Sequence, residues 1–129
     1  MMIDAQLWAS YLDPYFRFGA PIRCDSFAII TAWNPASKWQ SNQQNGRNNQ
    51  QLRLEIDHTY FIEVLVGNQE FSWAEESFAT AMTRHQAVEL GAKYGQNAIY
   101  FVEKDQLFLL SCLEDKSVVL IGDWRCRCK

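Results

Sequence analysis

The fold depends on the stretch Ser26-Phe27-Ala28-Ile29-Ile30-Thr31-Ala32-Trp33, which is followed directly by Asn34-Pro35. The stretch is rich in β-branched and aromatic residues and is almost continuously apolar. This composition predicts a strand that is buried in the middle of a sheet. Asn34-Pro35 then ends the strand sharply, because proline has no backbone N–H to donate to a neighbouring strand.

The next segment, residues 41–51, consists almost entirely of uncharged polar residues and taken alone resembles a low-complexity linker. The apolar residues that follow it lead straight into a strand-like segment, which argues that the polar segment is ordered. Ser41 can serve as the N-cap of a helix over residues 42–55, with Gly46 as its weak point. Such a helix turns four residues roughly onto one side: Asn45, Asn48, Asn49 and Leu52.

Hydrophobic periodicity and turn signals predict the other elements. An amphipathic helix over residues 4–12 ends before Pro14, and an aromatic link containing Tyr15, Phe16 and Phe18 follows it. Thr83 and Gln86 form a capping box that opens a helix ending at Gly95. The remaining strands are predicted at residues 59–66, 73–80, 96–102, 106–112 and 117–121.

This order predicts a single α+β domain over residues 1–129. Strands outnumber helices and come in hairpins, so we expect a mostly antiparallel sheet of about five to six strands with helices packed mainly on one face.

Composition excludes several classes of protein. The 129 residues are 48% hydrophobic and 21% charged, which suits a folded domain. The net charge of −3 argues against a nucleic-acid-binding protein, which normally presents a basic face to phosphates. No apolar run approaches the roughly 18 residues of a spanning helix, and the first residues lack a basic segment typical of a signal peptide. We therefore expect a cytoplasmic protein without a membrane partner.

The cysteines and histidines do not indicate a metal site or a cofactor. Four cysteines (Cys24, Cys112, Cys126 and Cys128) and two histidines (His58 and His85) are scattered without the spacing of zinc ligands. In a reducing compartment the cysteines are expected to be free thiols. A redox role for Cys126 and Cys128 stays open.

Four segments, taken together in their order and spacing, resemble a bacterial family known as domain-of-unknown-function family 3293. They are Ala32-Trp33-Asn34-Pro35, the polar helix from Ser41 through Asn45 to Leu52, Trp73-Ala74-Glu75-Glu76-Ser77-Phe78 and Gly95-Gln96-Asn97-Ala98. The resemblance covers about residues 8–124. The family's polar helix usually carries acidic and basic residues, whereas this one carries Asn and Gln. The resemblance supports the single domain and implies no activity.

Polar side chains near the ends of predicted strands, and on the helix that follows the first strand, are the candidate ligand-binding residues: Asn34, Asn45, Arg47, Asn48, Glu75, Glu76, Gln96 and Asn97. Loops beyond strand ends are a usual place for a site on a sheet, and carboxylates, amides and arginine hold polar ligands by directed hydrogen bonds. The alternative is structural, because the same groups can satisfy backbone atoms in turns.

Two functions from different classes follow from these residues. The favoured one is a non-catalytic binding or accessory module, a homodimer or the binder of a protein partner, because aromatic residues fall in predicted loops and interfaces favour aromatics. These residues are Tyr15, Phe16, Phe18, Trp39 and Phe71. The alternative is an enzyme or binder that acts on a small polar or nucleotide-like ligand through the Glu, Asn and Arg cluster. No catalytic residue is assigned, since the chain has no Gly-x-Ser-x-Gly motif.

Overall fold

The computed structural model describes residues 5–129, which form three α-helices and seven β-strands. The helices are α1 (Ala5–Tyr11), α2 (Asn42–Ile56) and α3 (Arg84–Lys93). The strands are β1 (Tyr15–Phe18), β2 (Ser26–Ile30), β3 (Phe61–Gly67), β4 (Ala74–Thr80), β5 (Ala98–Glu103), β6 (Gln106–Ser111) and β7 (Val118–Asp123). Short 3-10 turns lie at Pro35–Ser37 and Arg125–Arg127. The predicted first helix began at Asp4, which lies outside the described residues.

The seven strands form one sheet in the order β1-β3-β4-β2-β5-β6-β7, and every neighbouring pair is antiparallel. The predicted α+β class with an antiparallel sheet is confirmed. β2 lies in the centre, and Ala28, Ile29 and Ile30 are buried on both faces.

The prediction of about five to six strands was wrong because it missed β1. Residues 15–18 were interpreted as an aromatic link, but they pair with β3, with Tyr15 opposite Gly67 and Phe18 opposite Val64. Four residues between Pro14 and Gly19 are too few to show a strand period. The pairing that makes them a strand comes from residues almost fifty positions later.

Two helices cover one face of the sheet. Leu52 and Ile56 of α2 and Ala87 of α3 pack on Ile30, Phe78 and Phe101 of the sheet. α2 lies against β4, while α3 lies against β2 and β5. On this face, β1 and β3 therefore extend beyond the edge of α2, and their outward side chains remain partly uncovered.

The opposite face is covered by the sheet itself, which curls so that its two ends meet. The backbone N–H of Lys129, just after β7, donates to the carbonyl of Phe16 in β1 at 2.8 Å. Phe27 and Trp124 meet inside the curl with ring centroids 5.4 Å apart. Phe16 is fully buried there and Phe18 is half-buried, so the expectation that they lie in loops was wrong.

None of the helices within residues 5–129 combines the length and the apolar character that crossing a membrane requires.

Candidate functional site

The chain makes a strained turn directly after β2. Asn34, Ala36 and Ser37 all have left-handed backbone conformations, with φ of 44°, 57° and 60°. A residue with a Cβ pays roughly 1–2 kcal/mol for this conformation, so a turn that contains three of them must be held by its surroundings. We call residues 34–37 the left-handed turn.

Asn45 on the buried side of α2 holds the start of this turn. Its side-chain oxygen accepts from the backbone N–H of Asn34 at 2.9 Å, and its amide group donates to the side-chain oxygen of Asn34 at 3.1 Å. The side-chain oxygen of Asn34 also accepts from the N–H of Gln40 at 2.8 Å, which closes the loop before α2.

The side chains of Asn48 and Asn49 form hydrogen bonds to the backbone just before the turn. The side-chain oxygen of Asn49 accepts from the N–H of Ala32 at 2.8 Å, and its amide donates to the carbonyl of Glu76 at 2.8 Å. Asn48 donates to the carbonyl of Ala32 at 3.2 Å. After β2 ends, the amides of α2 thus supply the partners that a neighbouring strand would otherwise provide.

The helix that carries these amides begins as predicted. The hydroxyl of Ser41 accepts from the N–H of Gln44 at 3.1 Å, and the helix runs from Asn42 to Ile56. Asn49 was not among the candidate residues. Its position four residues after Asn45, on the same predicted face, was the signal that could have identified it.

The turn is held from its other side by the loop between α3 and β5. Gln96 donates from its side-chain amide to the carbonyl of Trp33 at 3.0 Å, and the carbonyl of Gly95 accepts from the N–H of Ala36 at 2.7 Å. Gly95 has the predicted left-handed conformation, with φ of 72°. Asn97 donates to the hydroxyl of Tyr11 at the end of α1, at 3.1 Å, and to the hydroxyl of Ser37 in the turn, at 3.4 Å.

Glu75 is the carboxylate at the centre of this arrangement. Its Oε2 accepts from the side-chain amide of Asn34 at 3.0 Å. Burial raises the pKa of Glu75, and the bond from Asn34 offsets only part of that effect. Glu75 also adds to the rise in the pKa of Tyr100, which results mainly from burial of that phenol.

We expect the Glu75→Gln variant to be more stable than the natural protein at pH 8 and equally stable near pH 4. Because folding favours the neutral acid of Glu75, the free energy of unfolding of the natural protein falls as the pH rises through the raised pKa. Glutamine carries no charge, and its oxygen can still accept from Asn34. Urea unfolding between pH 4 and pH 8 measures the difference. Glu76→Gln, which changes an exposed side chain on the same strand, is the control, and an equal pH dependence in both variants would contradict the assignment.

The candidate residues therefore fall into three groups. Six gather at the left-handed turn: Asn34, Asn45, Asn48, Glu75, Gln96 and Asn97. Arg47 is exposed, and its side chain makes no hydrogen bond or ion pair with a described residue. Glu76 contributes only its backbone carbonyl to the amide network, and its exposed side chain faces a separate groove.

A groove of about 600 Å³ lies between α2 and the uncovered parts of β1, β3 and β4. We call it the α2–β3 groove. Its charged lining residues are Arg17, Arg53, Glu63 and Glu76. Phe78 and the partly exposed Leu65 give it an apolar floor. Sequence reasoning missed this groove, apart from Glu76, because its residues come from four elements and meet only through the register of the sheet.

The four charges of the groove are not paired with other charges. The ion pairs among residues 5–129 involve Arg84, His85, Lys93, Arg125 and Arg127, and none includes a charge of the groove. Arg17 is held instead over the ring of Phe71, with its guanidinium carbon 4.1 Å from the ring centroid.

Two further features distinguish the groove. Trp33 is one of the lining residues, and its indole N–H is buried and has no hydrogen-bond partner among the described residues. Buried donors of this kind are rare in folded proteins. Gly46 lies on the α2 wall, and a Cβ added there would meet no atom within 4 Å.

A second cavity, of about 550 Å³, lies at another part of the curled sheet and is lined by Cys24 and Cys128. Partial desolvation raises the pKa of both thiols above the usual range of a cysteine. The four cysteines are free thiols, as predicted. Within the part of the chain that the structure describes, no three His, Cys, Asp or Glu side chains come together as a metal site.

A family model described as "Protein of unknown function (DUF3293)" matches residues 30–99 of this chain. The match confirms the family resemblance, over a shorter range than the expected residues 8–124. It runs from the end of β2 to the start of β5 and includes all eight candidate residues. No curated protein and no solved structure matches the chain.

Proposed function

The chain belongs to the DUF3293 family of proteins of unknown function, and on this premise we propose that it is a non-catalytic binding module of the bacterial cytoplasm that holds a small polar ligand in the α2–β3 groove. One observation carries the proposal. Four unpaired charges line one concave, partly apolar surface, and Trp33 belongs to the same lining. Small-molecule sites commonly have this composition, with a few polar groups around an apolar floor, and volumes of about 300–1,000 Å³.

The left-handed turn supports binding less well than the groove does. Its amides are occupied by backbone atoms and by one another, so a ligand would have to replace bonds that already hold a strained segment. The side chains of the groove keep their charges free of ion pairs and can bind without that cost.

Binding is favoured over catalysis because the groove lacks a nucleophile with an adjacent base. Its lining contains no histidine or cysteine. The hydroxyl of its one serine, Ser77, is buried and donates to the backbone carbonyl of Glu75 at 3.2 Å. His85 pairs with Glu89 on the exposed side of α3.

A variant that fills the groove tests this function. We expect Gly46→Phe to fold, because the added side chain enters open space and phenylalanine tolerates a helix better than glycine does. The variant should lose ligand binding. In a thermal-shift screen of nucleotides and metabolites, a compound at about 100 times its dissociation constant stabilises the native state by about 2.7 kcal/mol. Such compounds should raise the Tm of the natural protein and leave that of Gly46→Phe unchanged.

Gln43→Phe is the matched control, since Gln43 is exposed on the same helix and does not line the groove. This variant should respond to the same compounds as the natural protein. Equal responses from Gly46→Phe and Gln43→Phe would place the site elsewhere, and a screen without any response would contradict the proposed function.

An interaction surface for a second copy or another protein is a second candidate. It is supported by Trp39, whose side chain is 84% exposed in the segment before α2. Interfaces favour exposed aromatic residues of this kind. Sedimentation velocity over a range of protein concentrations tests the homodimer, and a monomer at every concentration would contradict it.

A further inference from the structure

The charges of the α2–β3 groove balance. Arg17 and Arg53 carry two positive charges, and Glu63 and Glu76 carry two negative ones. A nucleotide or another polyanion would bring its phosphates close to two carboxylates, and like charges held together in this way disfavour binding. The lining is complementary to a ligand that itself carries one charge of each sign.

The register of the sheet places one arginine and one glutamate of the groove two strands apart. Arg17 of β1 lies opposite Leu65 of β3, and Leu65 lies opposite Glu76 of β4. Adjacent strands are about 4.8 Å apart, so the backbones at Arg17 and Glu76 are about 10 Å apart. A ligand that lies over Leu65 and bonds both side chains carries its two charges at opposite ends, with an apolar or neutral part between them.

An extended dipeptide meets this requirement, since two residues span about 7 Å and flexible side chains can cover the rest. It also carries a neutral peptide carbonyl between its charged ends, in the part that lies over Leu65. A free amino acid lacks that neutral carbonyl and is too short.

From these observations we infer that the α2–β3 groove binds zwitterions of dipeptide size, with the ligand carboxylate at Arg17, the ammonium group at Glu76 and the neutral peptide group between them. The inference rests on the proposed function and adds the chemical class of the ligand.

The test uses four forms of alanyl-alanine with the full chain: free, N-acetylated, C-amidated and blocked at both ends. Titrations are followed by NMR through the indole N–H signals of the five tryptophans. The signal of Trp33 is identified as the one that is missing from the spectrum of Trp33→Phe. The free dipeptide should shift the Trp33 signal in a saturable way. Each single block should weaken binding at least tenfold, and the doubly blocked form should not bind.

Two variants connect each end of the ligand to its partner. In Glu76→Gln the free dipeptide should bind about tenfold more weakly, and N-acetylation should cause little further loss. In Arg17→Gln the free dipeptide should likewise bind about tenfold more weakly, and C-amidation should cause little further loss. Equal binding of free and blocked dipeptides would overturn the inference. If nucleotides bind instead and Gly46→Phe abolishes that binding, the ligand class is overturned while the proposed function stands. If no ligand is found whose binding is abolished by Gly46→Phe, both are overturned.

Discussion

Replacing Asn49 by alanine is expected to lower the free energy of unfolding by about 3 kcal/mol. Asn49 is 8% exposed, and its side chain bonds both the N–H of Ala32 and the carbonyl of Glu76 at 2.8 Å. Alanine removes both bonds. The N–H of Ala32, a fully buried residue, is then left without an acceptor, and an unsatisfied buried donor costs about 1–3 kcal/mol by itself. Equilibrium unfolding in urea, monitored by tryptophan fluorescence, measures the change.

The neighbouring residue provides the control for this prediction. Gln50 is exposed on the same helix, so Gln50→Ala should change the stability by less than about 0.5 kcal/mol. Asn49→Asp keeps an acceptor for Ala32 but turns a second oxygen toward the carbonyl of Glu76, and it should also destabilise the protein. A loss below about 1 kcal/mol in Asn49→Ala would mean that α2 does not hold the segment after β2.

The elements that the sequence predicted well are those specified by neighbouring residues. Ser41 and Thr83 each bond an N–H three residues later, so their helices could be recognised from local sequence alone. The central position of β2 followed from an apolar run, rich in β-branched and aromatic residues, that is typical of a buried strand. β1 was missed because its identity as a strand depends on β3, far away in the chain.

The candidate site was predicted in part for the same reason. The sequence placed Asn45, Asn48 and Asn49 on one side of a helix, but it could not say which backbone atoms that side would meet. Predicting the groove would have required knowing which strands pair, and in which register. Arg17 and Glu76 face the same surface only because each lies in register with Leu65, and no local pattern encodes that register.

Replacement by alanine is expected to have opposite effects on stability at two helical glycines. Gly91→Ala in α3 is expected to destabilise the protein by about 1–2 kcal/mol, because a Cβ there would lie 2.7 Å from Cγ2 of Ile99 and 2.8 Å from the sulfur of Cys112. Both neighbours are buried and cannot move away freely. Gly46→Ala in α2 should stabilise the protein by about 0.5–1 kcal/mol, since its Cβ meets nothing and alanine favours helix. Thermal and urea unfolding of both variants measure the contrast.

Because the chemical change is identical in the two variants, helix propensity contributes equally to both, and the difference in stability reports packing alone. Removing one of the obstructing atoms should then restore part of the loss, so Gly91→Ala combined with Cys112→Ala should be less destabilised than the sum of the two single variants. An additive pair, or a Gly91→Ala protein as stable as Gly46→Ala, would mean that α3 does not approach β5 as closely as the contact between Gly91 and Ile99 requires.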